Sequence, residues 1–220
     1  MIISPNRNYV FVHIPKTGGT SLATALEARA MRDDILIGDT PKARRRRGRL
    51  KGLGAPGRLW KHATLDDIAG VMPPEWMAQA LVFTLVRNPW DRMVSYYHWL
   101  RLQRFDHSAV RAAQTHEFSA FLDLPDMQAS IRSHPYGRYV RRGQSERTPL
   151  FIRLETFEAD AAPLWDHLGF RLNLPHLNVS PRVRDYRQYY DDAARRCVAS
   201  LCAEDIERFG YQFAAGASEG

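Results

Sequence analysis

The sequence predicts a three-layer α/β domain built on a central parallel sheet, and three stretches predict it. Residues 9–28 read as an apolar strand, a tight turn and an amphipathic helix. Residues 80–86 (ALVFTLV) form a second, nearly all-apolar strand followed by a helix from Trp90 to about Leu102. Residues 149–155 (PLFIRLE) form a third strand with a helix over 156–168 behind it. Strands alternating with helices build parallel sheets whose two faces are covered by helices. A chain of 220 residues with 45% hydrophobic content fits one such domain.

The elements follow in order. From Tyr9 to Ile14 the chain is aromatic and β-branched, interrupted only by His13, as a buried strand requires. Pro15 ends it, and Gly18 and Gly19 let the main chain approach a ligand. Thr17, Thr20 or Ser21 is positioned to cap a helix that buries Leu22, Ala25 and Leu26. A short strand is expected at 35–37, then a Gly- and Pro-containing flexible loop over 38–58. Thr64 is expected to cap a short helix with Asp66 and Asp67 in its first turn, and Pro73-Pro74 precede another helical turn at 75–79. A shorter helix is expected at 117–124. Residues 125–148, with Pro135, Gly137 and Gly143, read as loop-rich. After a Pro-, Asn- and Arg-rich stretch at 173–187, residues 190–209 have helical periodicity, and Gly210 is a natural stop. No internal repeat is present.

Charge and cysteine usage narrow the function classes. The formal net charge is +7, and KARRRRGRLK at 42–51 concentrates it. That run suits either a solvated flexible loop or an electrostatic funnel for an anionic substrate or cofactor. Without a recognition motif or stacking aromatics, it does not predict nucleic-acid binding. No apolar run approaches the length of a membrane span. The chain starts MIISPNRN and goes straight into the first strand, so no cleaved secretory signal is expected. Cys197 and Cys202, five apart in a helix-like segment, suit neither a disulfide framework nor a metal knuckle. The expected setting is the reducing cytoplasm.

The turn at 15–21, Pro-Lys-Thr-Gly-Gly-Thr-Ser, has the makings of a phosphate cradle. Unpaired amides at a helix start attract anions, and Lys16 adds a movable positive charge. It is not the GxxxxGK loop of nucleoside triphosphatases, because the lysine precedes the glycine pair, and it is not GxGxxG. A kinase would also need a magnesium-binding carboxylate after a strand, and of the strand ends only Glu155 offers one. A second anion site is written at 85–99 (LVRNPWDRMVSYYHW). Arg87 sits at the carboxyl end of a strand, where open α/β sheets bind ligands, and Ser95 adds a hydroxyl from the following helix. Arg92, at i to Ser95's i+3, suits either the ligand or a pairing with Asp91, Glu155 or another carboxylate.

Together PKTGGTS at 15–21 and RNPWDRMVSYY at 87–97 resemble the 5′-phosphosulfate loop and the 3′-phosphate motif of the sulfotransferase family. The opening His-x-Pro-Lys-x-Gly-Gly-Thr-Ser, matched at 13–21, is similar to the carbohydrate branch, including the uronyl 2-O- and the chondroitin and dermatan 4-O-sulfotransferases. RLETFEADAAPLWDHLGF at 153–170, LPHLNVSPR at 174–182 and DIERFGYQF at 205–213 resemble the family's C-terminal third.

The resemblance implies a P-loop-like α/β/α fold and metal-free transfer of a sulfuryl group from 3′-phosphoadenosine 5′-phosphosulfate (PAPS) to a hydroxyl, first of all on a carbohydrate or glycoconjugate. It implies that Lys16, Thr17, Gly18, Gly19, Thr20 and Ser21 grip the 5′-phosphosulfate, with Lys16 catalytic. Arg87 and Ser95 would hold the 3′-phosphate. Ser180, Arg182 and Arg184 would lie near the 3′-phosphate or adenine, in a C-terminal helical segment over 173–213 that covers the cofactor. For the general base the resemblance points to His62. The alternatives are a helix-start role for His62 satisfied by Asp66 or Asp67, His13 as base or loop orienter, and Glu155 as base or as partner of Arg92 or Arg153. His98 is expected to pack, and His107, His116, His134, His167 and His176 have no positional argument. Tyr211 and Phe213 are expected in the core. Trp60, Trp99, Tyr136 and Tyr139 are available to stack on sugar rings. Rival readings are a small-metabolite or lipid acceptor, a magnesium-dependent ATP kinase, and a non-enzymatic anion-binding protein.

Overall fold

The computed structural model describes residues 1–143, 145–146, 149–175 and 182–213, so the expectations for His176 and Ser180 lie outside the described residues. In chain order the elements are β1 (Ile2–Ser4), β2 (Tyr9–Val12), α1 (Gly19–Ala28), β3 (Ile35–Leu36), α2 (Pro41–Arg46), α3 (Pro74–Gln79), β4 (Leu81–Val86) and α4 (Pro89–Arg101). Then come α5 (Ser108–Thr115), α6 (Phe118–Asp123), α7 (Pro125–Arg132), α8 (Tyr136–Val140), β5 (Arg141–Arg142) and β6 (Ser145–Glu146). The chain continues through β7 (Leu150–Arg153), α9 (Phe157–Asp160), α10 (Ala162–Leu168), α11 (Asp192–Leu201) and α12 (Ala203–Phe209). None of these helices is long and apolar enough to cross a membrane. The described residues fall into two compact units, one holding 1–86 and 136–175, the other 87–135 and 182–213.

The first unit carries a five-stranded sheet of order β3-β1-β2-β4-β7. β2, β4 and β7 are parallel, with Tyr9 opposite Leu81 and Phe83 opposite Leu150. Tyr9, Phe11, Phe83, Leu85 and Ile152 share a core with Leu22, Ala23 and Leu26 of α1 and Leu164 and Trp165 of α10. The alternate residues Val10, Val12, Val82 and Val86 are buried too, so both faces are covered, as a parallel strand demands. The sheet is nevertheless mixed. β1 runs antiparallel to β2 and to β3, with Ile2 opposite Phe11 and Ile3 opposite Ile35. The chain thus does not enter its first strand at Tyr9. Three residues are too few for a periodic signal, yet Ile2 and Ile3 are almost completely buried.

Other expectations change here. The basic run is no loop: 41–46 are helical and 47–50 continue as a 3-10 turn. Thr40 accepts a bond from the Ala43 amide and Pro41 occupies the first turn, a start signal that the arginine run obscured. No helix follows Thr64. Its hydroxyl and amide close a reciprocal turn with Asp67. The described residues within 125–148 include α7, α8 and the paired strands β5 and β6, more regular structure than the loop expected. The helix expected over 156–168 is split at Ala161, because Pro163 lacks an amide hydrogen and its ring opposes a continuous helix from α9.

The second unit is helical, with one core built from Trp90, Met93, Val94, Tyr97, Leu100, Phe118, Phe121, Leu122, Val198 and Leu201. Tyr211 and Phe213 pack against it, Phe213 edge-on to Trp90 at 5.6 Å between ring centres. Helix α5 went unanticipated. Gly210 ends α12 in the left-handed conformation, φ 65°.

Candidate functional site

In the first unit the chain leaves β2 and folds back sharply before α1. Lys16 and Gly18 both have positive φ, 66° and 83°. For lysine that conformation costs on the order of 1 kcal/mol, strain of the kind stored at ligand sites. A Cβ on Gly18 would stand 2.9 Å from Leu154 Cδ1, and one on Gly19 would clash with the His13 ring, 2.3 Å from Cδ2 and 2.6 Å from Nε2. His13 thus packs beneath the loop, and Leu154 closes it from the end of β7.

The N-cap of α1 is Gly18, with no side-chain cap hydrogen bond among the described residues, where Thr17, Thr20 or Ser21 was expected to take that position. Buried Thr17 instead donates its hydroxyl hydrogen to the Ile14 carbonyl at 2.9 Å and ties the turn to the strand. The Ser21 amide bonds to the Gly18 carbonyl. An uncapped helix start with Lys16 beside it suits a phosphate or phosphosulfate group.

His62 stands next to the cradle. Its Nδ1 is 2.7 Å from the His13 carbonyl oxygen, and the two rings meet edge to face at 4.8 Å. A carbonyl only accepts, so Nδ1 carries the proton and Nε2 of the neutral ring keeps its lone pair. Burial pushes the His62 pKa down to about 4, against the opposing pull of that hydrogen bond, with Lys61 lowering it further. Burial also holds His13 well below its ordinary value. Asp66 and Asp67 are not the partners of His62. Asp66 accepts from the Gly143 amide and Asp67 from Thr64. Trp60 is 39% exposed and sits edge-on to His62 at 5.1 Å, with the Arg58 guanidinium over its ring. Tyr136 and Tyr139 are buried, which removes them as sugar platforms. Glu155 is exposed in the turn after β7, and Arg153 pairs with Asp160.

In the second unit Arg87 grips Asp91 through Nε at 2.8 Å and Nη2 at 2.5 Å. Arg182 Nη2 meets the other oxygen of the same carboxylate at 2.5 Å. Asp91 therefore aligns two guanidiniums. Sequence reasoning offered Asp91 only as a partner for Arg92, although its i+4 spacing from Arg87 was a visible signal. Among the described residues, the buried Nη1 of Arg182 and the buried Nε2 of His98 have no hydrogen-bond partner. Ser95 and Arg92 are buried on α4. His98 lies edge-on to Tyr189, and burial, with Arg182 nearby, lowers its pKa.

A cavity of ≈ 370 Å³ in the first unit, lined by Arg32, Asp33, Asp34, Leu36, Arg46 and Arg49 among others, includes no cradle residue.

Replacing Gly19 with alanine is expected to lower stability by about 1–3 kcal/mol through overpacking against the boxed-in His13 ring, and to weaken anion binding at the cradle. Thermal melts with and without added bisphosphate nucleotide measure both. An unchanged melting temperature would show that the ring has room to move.

The family model described as "Sulfotransferase family" matches residues 1–212. No curated protein matches the chain. Among solved structures, the "Crystal structure of mouse sulfotransferase SULT7A1 complexed with PAP" is similar, with 19% sequence identity, a TM-score of 0.50, and coverage of 91% of this chain and 85% of that one. At that identity the likeness is one of fold.

Proposed function

Since this chain belongs to the sulfotransferase family, we propose that it transfers a sulfuryl group from PAPS to a hydroxyl group on a carbohydrate or glycoconjugate, directly and without a metal. The observation that carries this reading is the uncapped start of α1 behind Lys16, an anion cradle that departs from the triphosphate loop. PAPS supplies the sulfuryl group, whose bond to the bridging oxygen of the 5′-phosphate breaks as the acceptor oxygen attacks.

Lys16 and the amides of Gly18, Gly19, Thr20 and Ser21 bind the 5′-phosphate and neutralise the charge that grows on that oxygen. Thr17 contributes through its amide, since its hydroxyl is engaged with Ile14. Thr20 and Ser21 act as ligands, because direct transfer needs no covalent intermediate on the enzyme. Arg87, Ser95 and Arg182 take the 3′-phosphate. Asp91 holds both guanidiniums ready, and the orphaned Nη1 of Arg182 is a donor that such an anion satisfies. His62 Nε2 accepts the proton of the acceptor hydroxyl. Exposed Trp60 beside His62 supports a sugar ring as the acceptor, since a flat indole face suits the apolar side of a pyranose. Cys197 and Cys202 are both free thiols, which supports a cytoplasmic setting.

The test is a thermal melt in chelator with 3′,5′-adenosine bisphosphate, the expected product, followed by labelled-sulfuryl transfer to a panel of glycans and small alcohols. A raised melting temperature without metal and label in a glycan are the expected results. Stabilisation by magnesium-ATP alone would overturn the donor assignment. Label confined to small alcohols or lipids would overturn the acceptor assignment.

A further inference from the structure

Buried polar groups without partners are rare in a folded chain, because each forfeits the hydrogen bond it made with water. Among the described residues, three side-chain nitrogens are buried with no hydrogen-bond partner: His98 Nε2, Arg182 Nη1 and Trp165 Nε1. Trp165 lies in the first unit, whereas His98 and Arg182 both belong to the second.

The fold brings these two together along one face of α4. Asp91, Ser95 and His98 stand at i, i+4 and i+7, so they form a single stripe about 10 Å long. Arg182 and the residues after it lie along that stripe. At its start Arg182 Nη2 bonds to Asp91 at 2.5 Å. At its far end the Tyr189 ring meets the His98 ring edge-on at 4.9 Å. The Tyr189 hydroxyl accepts from the Val183 amide at 3.0 Å, which links the two ends by direct contacts. Ser95 is buried between them on the stripe, and the Arg182 side chain is only 9% exposed. Tyr97 also meets the His98 ring edge-on, at 5.4 Å. The ring therefore packs, as its aromatic surroundings predict, but packing leaves Nε2 unused.

Charge decides what kind of ligand completes this face. Arg87 and Arg182 share the one carboxylate of Asp91, which leaves a positive charge unbalanced within the trio. Burial, with Arg182 and Arg101, lowers the pKa of His98, so its ring is neutral at pH 7. A neutral imidazole with its hydrogen on Nε2 is a donor, and so is the guanidinium. Phosphate oxygens accept from both and supply the missing negative charge.

We propose that Nε2 of His98 is a further hydrogen-bond donor to the 3′-phosphate of the nucleotide, beside Arg182 Nη1 and the Ser95 hydroxyl, and that it sets the preference for a 3′-phosphate over a 3′-hydroxyl. This rests on the sulfuryl-transfer reading above and names the residue that makes the choice of donor selective. A site whose buried donors are built for a phosphate rejects the analogue that lacks it, because those donors are then left unpaired. Tyr97 and Tyr189 fix the ring in advance, so little freedom is lost when the phosphate arrives.

The test measures the melting temperature of the full chain and its affinity for 3′,5′-adenosine bisphosphate, adenosine 5′-phosphate and inorganic phosphate. His98→Leu should bind the bisphosphate about tenfold more weakly, with affinity for adenosine 5′-phosphate kept within about twofold. Its melting temperature without ligand should not fall, because the substitution removes an unsatisfied buried group. His98→Gln, whose amide nitrogen donates from nearly the same position, should stay within about threefold of the parent for the bisphosphate. His98→Asn is polar but too short to reach; it should show the same loss as leucine, and it carries the comparison if leucine disturbs the fold. Unchanged bisphosphate affinity in the leucine and asparagine variants, the result expected if a buried water fills the gap, would overturn the proposal. An equal loss for both nucleotides would overturn it too, since that marks a structural role or a contact to adenine. Inorganic phosphate separates this proposal from the donor reading. If it stabilises the parent but not His98→Leu, and the bisphosphate does nothing, the donor reading fails and the anion pocket stands. Bisphosphate binding that is indifferent to His98 sinks the pocket role alone, and a parent that responds to neither anion sinks both.

Discussion

Substituting asparagine for His62 is expected to lower kcat by about 10²–10⁴-fold, the usual contribution of a positioned general base, while leaving affinity for 3′,5′-adenosine bisphosphate within about twofold. Asparagine is the informative replacement because its amide can still donate to the His13 carbonyl now bonded to Nδ1, so the loop keeps its tie. Only the lone pair of Nε2 is lost. The pH profile separates this role from a structural one. With the His62 pKa down at about 4, the ring is already neutral at pH 7 and remains so well below it. kcat/KM of the parent should therefore stay flat from pH 8 to about pH 5, where an ordinary histidine base near ~6.5 would give a falling limb. Full activity in His62→Asn, or an acid limb centred near 6.5, would refute the assignment.

The same lowered pKa has a consequence for stability. A histidine that binds its proton less readily when folded contributes stability that is complete above its unfolded pKa near ~6.5 and is lost as pH falls toward the folded value of about 4. The difference corresponds to on the order of 3 kcal/mol. Unfolding free energy should decline through that window in the parent, and less steeply in His62→Asn. Equal slopes would show that His62 titrates normally.

Converting Lys16 to methionine is expected to reduce kcat by about 10²–10³-fold, the cost of removing one donor aimed at a developing oxyanion. Donor affinity should fall by less, about tenfold, because the amides at the start of α1 remain. The comparison is clean in one respect. Lysine already occupies the left-handed region with φ 66°, and methionine pays the same backbone cost, so the fold should survive. Separate measurement of kcat and of bisphosphate affinity distinguishes the two effects. A kcat within threefold of the parent would remove Lys16 from the chemistry.

Much of the sheet was legible because its signals are local. β4 is six residues with only Thr84 polar, and β2 carries two aromatics in a β-branched run, so each declares itself without reference to neighbours. β1 did not, since three residues have no measurable period and gain their burial only from pairing on both sides. Helix α2 was hidden for another reason. Its charges dominate the composition, and its stability comes from carbonyls of α1 and the β3 approach that lie up to seventeen residues away in sequence. Thr64 shows the opposite error. Its cap-like spacing to Asp67 was real, but the hydrogen bonds close a turn on itself instead of starting a helix.

The candidate site divides along the same line. Sequence alone determined which residue types stand at the turn after β2 and at the end of β4, and hence the sulfotransferase motifs, because glycine, lysine and arginine at fixed local spacing carry that information by themselves. Only the tertiary structure decided how those groups are held. Asp91 pairs with Arg87 four residues before it and with Arg182 91 residues after it, the His13 ring fills the space that makes Gly19 obligatory, and the His13 carbonyl sets which nitrogen of His62 is free. The Asp91–Arg182 and His62 contacts join distant segments, where burial and hydrogen-bond geometry set protonation and orientation and no short window encodes them. The His13–Gly19 pairing lies within one short motif and needs the folded turn to bring the ring over the glycine.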